Sequence, residues 1–228
     1  MKKQVIFLHG YLSCGGAFAA QTRFFSAYFD CFAPDLPGFG NNAEMPYPYA
    51  LSDYADWLKA YMKANGIERP HVVAHSFGAR VAVKAAAAEP ALFSRMVLTG
   101  AAGMKPRRPP AYYVKKARFS VLKKFLPREK LEKYYSSDYR ALNAVMRESF
   151  LKIVNEHLEE SAKRVQNPVL LVYGENDRET PLYMAKRYRR LLPSSRLLVI
   201  GGAGHFAFAE KIAAFNYPVR EFLLAGKE

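Results

Sequence analysis

A serine, an aspartate and a histidine in this chain each follow a short apolar run, and together they are the residue types that nucleophilic catalysis needs. Ser76 lies in Ala74-His75-Ser76-Phe77-Gly78, Asp177 in Gly174-Glu175-Asn176-Asp177, and His205 in Gly204-His205-Phe206. A serine hydroxyl is a weak nucleophile, so it requires a base to take its proton and a third group to hold that base in one tautomer. His205 suits the base, since an imidazole with an unperturbed pKa of about 6.5 exchanges protons near neutrality. Asp177 suits the orienting acid. Attack on a carbonyl also creates an oxyanion that needs donors already in place. The backbone N–H of Phe77, at a helix start, is one, and that of Tyr11, after His9-Gly10, is the expected second. Losing one such donor typically costs about 3–4 kcal/mol of transition-state stabilisation.

These residues must be positioned by strands and helices. His71 to Ala74 reads as a buried strand and Gly78 to Glu89 as an alanine-rich helix, which leaves Ser76 on a sharp turn between them, with the small Ala74 and Gly78 relieving the crowding. Gln4 to Leu8 reads as a first strand, Ala17 to Tyr28 as a helix, and Cys31 to Ala33 as a second strand. Pro34 to Gly40 is a loop by its proline and glycine content, with Asp35 organising it, and Ser52 is the expected N-cap of a helix running to about Asn65. Further strands are expected at Met96 to Thr99, Val169 to Tyr173 and Leu197 to Ile200, with a helix from Pro181 to Leu192 and a final helix after His205. Such alternation predicts an α/β fold with a mostly parallel sheet of about six strands flanked by helices. Ser76, Asp177 and His205 then share the edge formed by the C-terminal ends of the strands, where open α/β sheets place a ligand crevice.

One segment breaks the rhythm. Residues 103–166 lie between two strands yet offer only helical patterns, with Leu142, Val145, Met146, Ser149 and Ile153 at helical spacing and Arg140 and Arg147 on a neighbouring face. This predicts a helical lid inserted after the fourth strand, on a core made of residues 1–102 and 167–228. Pro106, Pro109 and Pro110 form the hinge into it, and Asn167-Pro168 marks the return to the sheet. The chain carries 34 Lys+Arg against 20 Asp+Glu, a net charge of +14. Residues 104–166 hold sixteen of the basic and seven of the acidic residues, so the positive charge is concentrated in the lid. A field of that kind steers acidic partners, or serves as a solvated face that aids solubility. No nucleic-acid motif accompanies it.

The 228 residues, half of them hydrophobic, suffice to bury one core. The apolar run Val5-Ile6-Phe7-Leu8 is too short for a membrane span or signal peptide, and Cys14 and Cys31 read as free buried thiols, which together point to a cytoplasmic protein. No residues have metal-ligand spacing, and no cofactor is called for. His71 and His75 read as packing residues, and His9 as a residue that stabilises its own loop.

The set His9-Gly10-Tyr11, Pro34-Asp35-Leu36-Pro37-Gly38-Phe39-Gly40, Ala74-His75-Ser76-Phe77-Gly78, Gly174-Glu175-Asn176-Asp177 with Pro181, and Gly204-His205 resembles the α/β-hydrolase superfamily over almost the whole chain. The resemblance implies an eight-stranded ancestral sheet with a cap after its sixth strand. Here the first two strands are missing, leaving about six. The elbow and the Asp-Leu-Pro-Gly-Phe-Gly motif are similar to those of small carboxylesterases, carbon–carbon bond hydrolases of ring-cleavage products, and pimeloyl-acyl-carrier-protein methyl ester esterases.

The resulting expectation is a serine hydrolase that cleaves a small carboxylic ester or thioester through an acyl-enzyme. Tyr11, Phe77 and Phe206 would line an acyl pocket, Arg140 and Arg147 would either hold a substrate carboxylate or stand as exposed arginines of the lid, and the basic lid would grip an acidic acyl carrier protein. A carbon–carbon bond hydrolase is the alternative, although that branch usually carries tryptophan after the active histidine, where this chain has Phe206. Branches with an aspartate nucleophile are disfavoured by Ser76. A non-catalytic protein that binds a ligand or nucleic acid through the basic insert is the reading from another class.

Overall fold

The computed structural model describes residues 2–122, 139–140 and 142–225. Six parallel strands make one sheet among them: β1 (Lys3–Leu8), β2 (Phe29–Phe32), β3 (His71–His75), β4 (Met96–Thr99), β5 (Val169–Gly174) and β6 (Ser195–Ile200), in the spatial order β2-β1-β3-β4-β5-β6. The residues of β1, β3, β4 and β5 are largely buried and rich in Val, Leu and Ile, as expected of strands covered on both faces, while the edge strands β2 and β6 are partly exposed. The strand period of two sorts them. Ile6, Leu8, Val72, Ala74, Leu98 and Leu171 face one layer, while Val5, Phe7, Val73, Val97, Leu170 and Val172 face the other.

The first layer contains α2 (Leu51–Ala64), α3 (Phe77–Ala88), α6 (Glu159–Arg164) and α7 (Leu182–Leu191). The second contains α1 (Ala19–Phe25) and α9 (Ile212–Leu224), joined to β6 through the short α8 (Ala207–Glu210). The chain moves outward from β1 to β2, then crosses to β3 and proceeds the other way. The reversal opens a crevice between the C-terminal ends of β1 and β3, the place where doubly wound sheets bind ligands. Leu8 pairs with Ala74 there, so the segments carrying Gly10 and Ser76 leave the sheet side by side.

Several elements differ from the sequence reading, the last strand among them, which begins at Ser195 instead of Leu197. The second strand begins two residues earlier than expected, at Phe29. The first helix is shorter, Ala19 to Phe25, and is preceded by a 3-10 turn over Gly15–Phe18. Ser52 lies inside α2, whose N-cap is Ala50. The carboxylate of Asp53 accepts the Ala50 N–H at 2.7 Å, so an acid at the third helical position takes over the capping and also complements the helix dipole. Cys14 and Cys31 are free and half-buried.

Between β4 and β5 the described residues form α4 (Pro110–Leu122), α5 (Ala144–Asn155) and α6. The insert read as a lid also includes residues 123–138 and 141, which lie outside the described residues. Leu142, Met146, Ile153, Leu158 and Ala162 are buried in the first core layer. Among the described residues no helix is long and apolar enough to cross a membrane.

Candidate active site

Ser76 is the residue between β3 and α3, and its φ of 48° and ψ of −103° lie in a region that side-chain-bearing residues rarely adopt. The turn is held from both sides. Ser76 N–H donates to the Thr99 carbonyl on β4 at 3.0 Å, and Gly78 N–H donates to the His9 carbonyl at 3.0 Å. Gly78 is required by contact, since a Cβ there would come within 2.3 Å of the Leu8 carbonyl oxygen. The elbow thus packs directly against the loop after β1.

That loop is fixed by its own histidine. His9 Nδ1–H donates to the Gly10 carbonyl at 2.8 Å, and its Nε2 accepts the Leu36 N–H at 2.9 Å, in keeping with the loop-stabilising role expected of it. Asp35 accepts from the N–H groups of Gly15 at 2.7 Å and Asn41 at 2.8 Å. Burial opposes its charge, but these hydrogen bonds and the nearby His9 hold its carboxyl below the ordinary value. Phe77 opens α3, so its N–H has no acceptor within the helix. Among the described residues neither this N–H nor that of Tyr11 donates to a protein acceptor.

Asp177 and His205 meet. His205 Nδ1 lies 2.9 Å from Asp177 Oδ2, although the two residues leave different strands. The β6 loop reaches back over the end of β5, where a Cβ on Gly174 would lie 2.1 Å from the Gly204 carbonyl oxygen, so only glycine permits the crossing. Asn176 N–H then donates to the Ala203 carbonyl at 2.8 Å. Glu210 braces the loop from the other side, accepting from Gly204 N–H at 2.7 Å and Phe206 N–H at 3.2 Å.

Asp177 is buried, and burial raises its pKa. Hydrogen bonds from His205, the Thr180 N–H at 2.8 Å and the Thr180 hydroxyl at 2.7 Å outweigh this and hold the carboxyl below the ordinary value. An ionised acid on Nδ1 dictates the tautomer with Nε2 unprotonated.

Ser76 Oγ makes no hydrogen bond among the described residues. The ring of His75 packs 4.7 Å from that of His205. The Nε2 atom of His205 lies instead 3.5 Å from Glu179 Oε2.

The aromatic residues divide. Tyr11 packs on Phe77, Phe39 and Phe150 with ring centroids 4.9–5.5 Å apart, and its hydroxyl donates to the Met146 carbonyl on α5 at 3.4 Å. Phe206 is 47% exposed and lies against the rings of His75 and His205. Arg140 is exposed, and the Arg147 guanidinium donates to the carbonyls of Tyr139 at 3.2 Å and Arg140 at 2.6 Å. Thr180, Glu179 and Glu210 escaped the sequence reading. Thr180 had a signal, because a hydroxyl three residues after an aspartate matches a side-chain-closed turn.

Comparison with known proteins agrees with this architecture. A sequence model described as the alpha/beta hydrolase family matches residues 5–216. The chain is 25% identical to the uncharacterized hydrolase YugF of Bacillus subtilis, over 97% of this chain and 90% of that one. It is 29% identical to a 2-hydroxy-6-oxononadienedioate/2-hydroxy-6-oxononatrienedioate hydrolase of Pseudomonas putida, over 83% of this chain and 75% of that protein. Among solved structures it resembles in fold an esterase from Exiguobacterium antarcticum, with a TM-score of 0.77, 19% identity, and 97% and 91% of the two chains covered. The elbow at Ser76, the acid and histidine on neighbouring strand ends, and a family match over nearly the whole length lead to one conclusion: the chain belongs to the alpha/beta hydrolase family.

Proposed function

We propose that this hydrolase cleaves a small carboxylic ester or thioester through a covalent acyl-enzyme, with Ser76 as nucleophile, His205 as base and Asp177 as the orienting acid. The observation that carries the reading is the 2.9 Å contact between buried Asp177 and His205 beside a serine held on a strained turn. In the first step Ser76 Oγ bonds to the carbonyl carbon while its proton passes to His205 Nε2, and the N–H groups of Tyr11 and Phe77 receive the oxyanion. Collapse of that intermediate breaks the bond to the leaving group, which takes the proton from Nε2. Water then enters by the same route, giving up a proton to His205, and the acid is released as Ser76 recovers its hydroxyl.

The rings around Tyr11 supply apolar surface for the acyl group. Met146, whose carbonyl accepts from Tyr11, also lines an open cavity of about 460 Å³ with Ala43, Glu44, Met45, Pro46, Asn143 and Val145. The described part of the insert, α4, α5 and α6, serves as the lid of the acyl site, with Arg140 and Arg147 as candidate contacts to a substrate carboxylate and an acidic acyl carrier as one source of the acyl group.

A second reading is cleavage of a carbon–carbon bond in a ring-fission product. It is favoured by the 29% identity to the Pseudomonas putida hydrolase named for such a substrate. Wild type and Ser76→Ala are compared on p-nitrophenyl esters of two to twelve carbons and on a 2-hydroxy-6-oxo-dienoate. Ester turnover that falls about 10⁴-fold or more in Ser76→Ala supports the esterase. Turnover of the dienoate alone assigns the second reading, and turnover untouched by Ser76→Ala removes both.

A further inference from the structure

Glu179 puts a carboxylate at the one imidazole nitrogen that the proposed reaction uses. Its Oε2 lies 3.5 Å from His205 Nε2, while Asp177 occupies the Nδ1 side at 2.9 Å. The two acids differ in surroundings. Asp177 is buried, whereas the Glu179 side chain is 68% exposed. The Glu179 backbone is nonetheless fixed, since its N–H donates to Asp177 Oδ1 at 3.0 Å. The carboxylate that orients the ring therefore also sets where the Glu179 side chain starts.

With Nδ1–H donating to Asp177, neutral Nε2 carries a lone pair, and Glu179 gains no hydrogen bond from it. What Glu179 contributes is charge beside the atom that delivers the leaving group's proton. A leaving group must come within about 3 Å of Nε2 to receive that proton. Its substituents then lie next to the carboxylate. The other ionisable side chains against His205 are Asp177, whose charge sits on the Nδ1 side and is the same in every Glu179 variant, and His75, whose ring packs 4.7 Å away.

We infer that Glu179 is a specificity-determining residue that favours esters whose leaving group carries a positive charge, such as an amino alcohol, and disfavours anionic ones. The inference rests on Ser76 and His205 acting as proposed above. For a carboxylate this exposed, attraction at about 4 Å amounts to roughly a fivefold preference, weakened by salt. The chain's net charge of +14 acts the other way at long range. Only a comparison in which that background cancels reads Glu179 alone.

Two phosphonothiolates serve as probes, identical except that one expels a trimethylammonio-ethanethiolate and the other the neutral 3,3-dimethylbutanethiolate. In each, Ser76 Oγ bonds to phosphorus, the P–S bond breaks, and the serine proton leaves on the thiol by way of His205. Rates of adduct formation on Ser76 are followed by mass spectrometry in wild type, Glu179→Gln and Glu179→Lys. The ratio of cationic to neutral rates is expected to fall about fivefold from wild type to Glu179→Gln and further in Glu179→Lys, and the difference between wild type and Glu179→Gln shrinks as salt is raised. The same ratio in all three proteins overturns the inference and leaves the nucleophile assignment standing. Absence of an adduct on Ser76 with either probe overturns that assignment and the inference with it.

Discussion

His75 and His205 are joined by a hydrogen bond from a side chain to a backbone: His75 Nε2–H donates to the His205 carbonyl at 3.1 Å. His75 is buried, and burial, with a further contribution from the neighbouring His205, pushes its pKa down to about 3. It therefore stays neutral and keeps a proton to donate. The residue before Ser76 thus holds the main chain of the residue proposed as its base.

His75→Leu removes that donor and leaves a buried carbonyl without a partner. The expected costs are about 1–3 kcal/mol of stability and, through a displaced imidazole, roughly a ten- to hundredfold loss of kcat. Urea unfolding and ester kinetics check the two effects separately. An unchanged kcat in a destabilised variant would show that His75 only packs.

Thr180 donates its hydroxyl to Asp177 Oδ2 at 2.7 Å and lies 3.3 Å from His205 Nδ1. Thr180→Val keeps the shape and removes the donor. A hydrogen bond to a charged group contributes about 1.5–3 kcal/mol, so kcat/KM is expected to fall about ten- to hundredfold. Thr180→Ser, which keeps the hydroxyl, is expected to recover most of the loss.

Arg80 on α3 is buried and donates from Nη1 to the carbonyls of Ile153 at 2.5 Å and Glu156 at 3.0 Å. Those carbonyls belong to the C-terminal end of α5, where helix carbonyls lack partners and a cation is favourable. Beside it Lys84 pairs with Glu156 at 2.5 Å. Arg80→Met leaves the buried carbonyls unpaired, and about 2–4 kcal/mol of stability should be lost in urea unfolding. KM should rise as well, because α5 carries Met146 toward Tyr11.

His71 opens β3 and is buried edge-on to Phe29, with both ring nitrogens lacking a partner among the described residues. Burial, then the charges of Lys3 and Arg95, push its pKa down to about 4. A histidine whose pKa is depressed by folding is protonated first in the unfolded chain. Its contribution is therefore intact above about pH 6.5 and lost as pH falls from there toward 4, by roughly 2 kcal/mol between pH 7.5 and 5. His71→Leu should remove that share of the acid sensitivity and add up to about 1 kcal/mol at pH 7.5. Denaturant midpoints at the two pH values decide it. An equal drop in both proteins would assign the acid sensitivity to other groups.

Short-range signals made much of this architecture legible. Apolar runs bounded by glycine and proline located the six strands, and β3, a small residue and an alanine-rich helix marked the turn at Ser76, because sterics and hydrogen bonding act within a few residues there. Asp177 and His205 could be singled out because each closely follows a strand, and parallel strands put such positions on one edge. Where two local choices competed, the reading slipped. Ser52 looked like a cap, but the helix already starts at Leu51, with the Asp53 carboxylate accepting the N–H of the capping residue Ala50. What only the tertiary structure decided involves partners far apart in the chain: His75 on the His205 carbonyl, Arg80 on the end of α5, and the exposed Glu179 carboxylate 3.5 Å from His205 Nε2. Periodicity reports which face of an element is buried. It carries no information on which distant backbone group will meet a given donor, because that depends on how loops from separate strands cross.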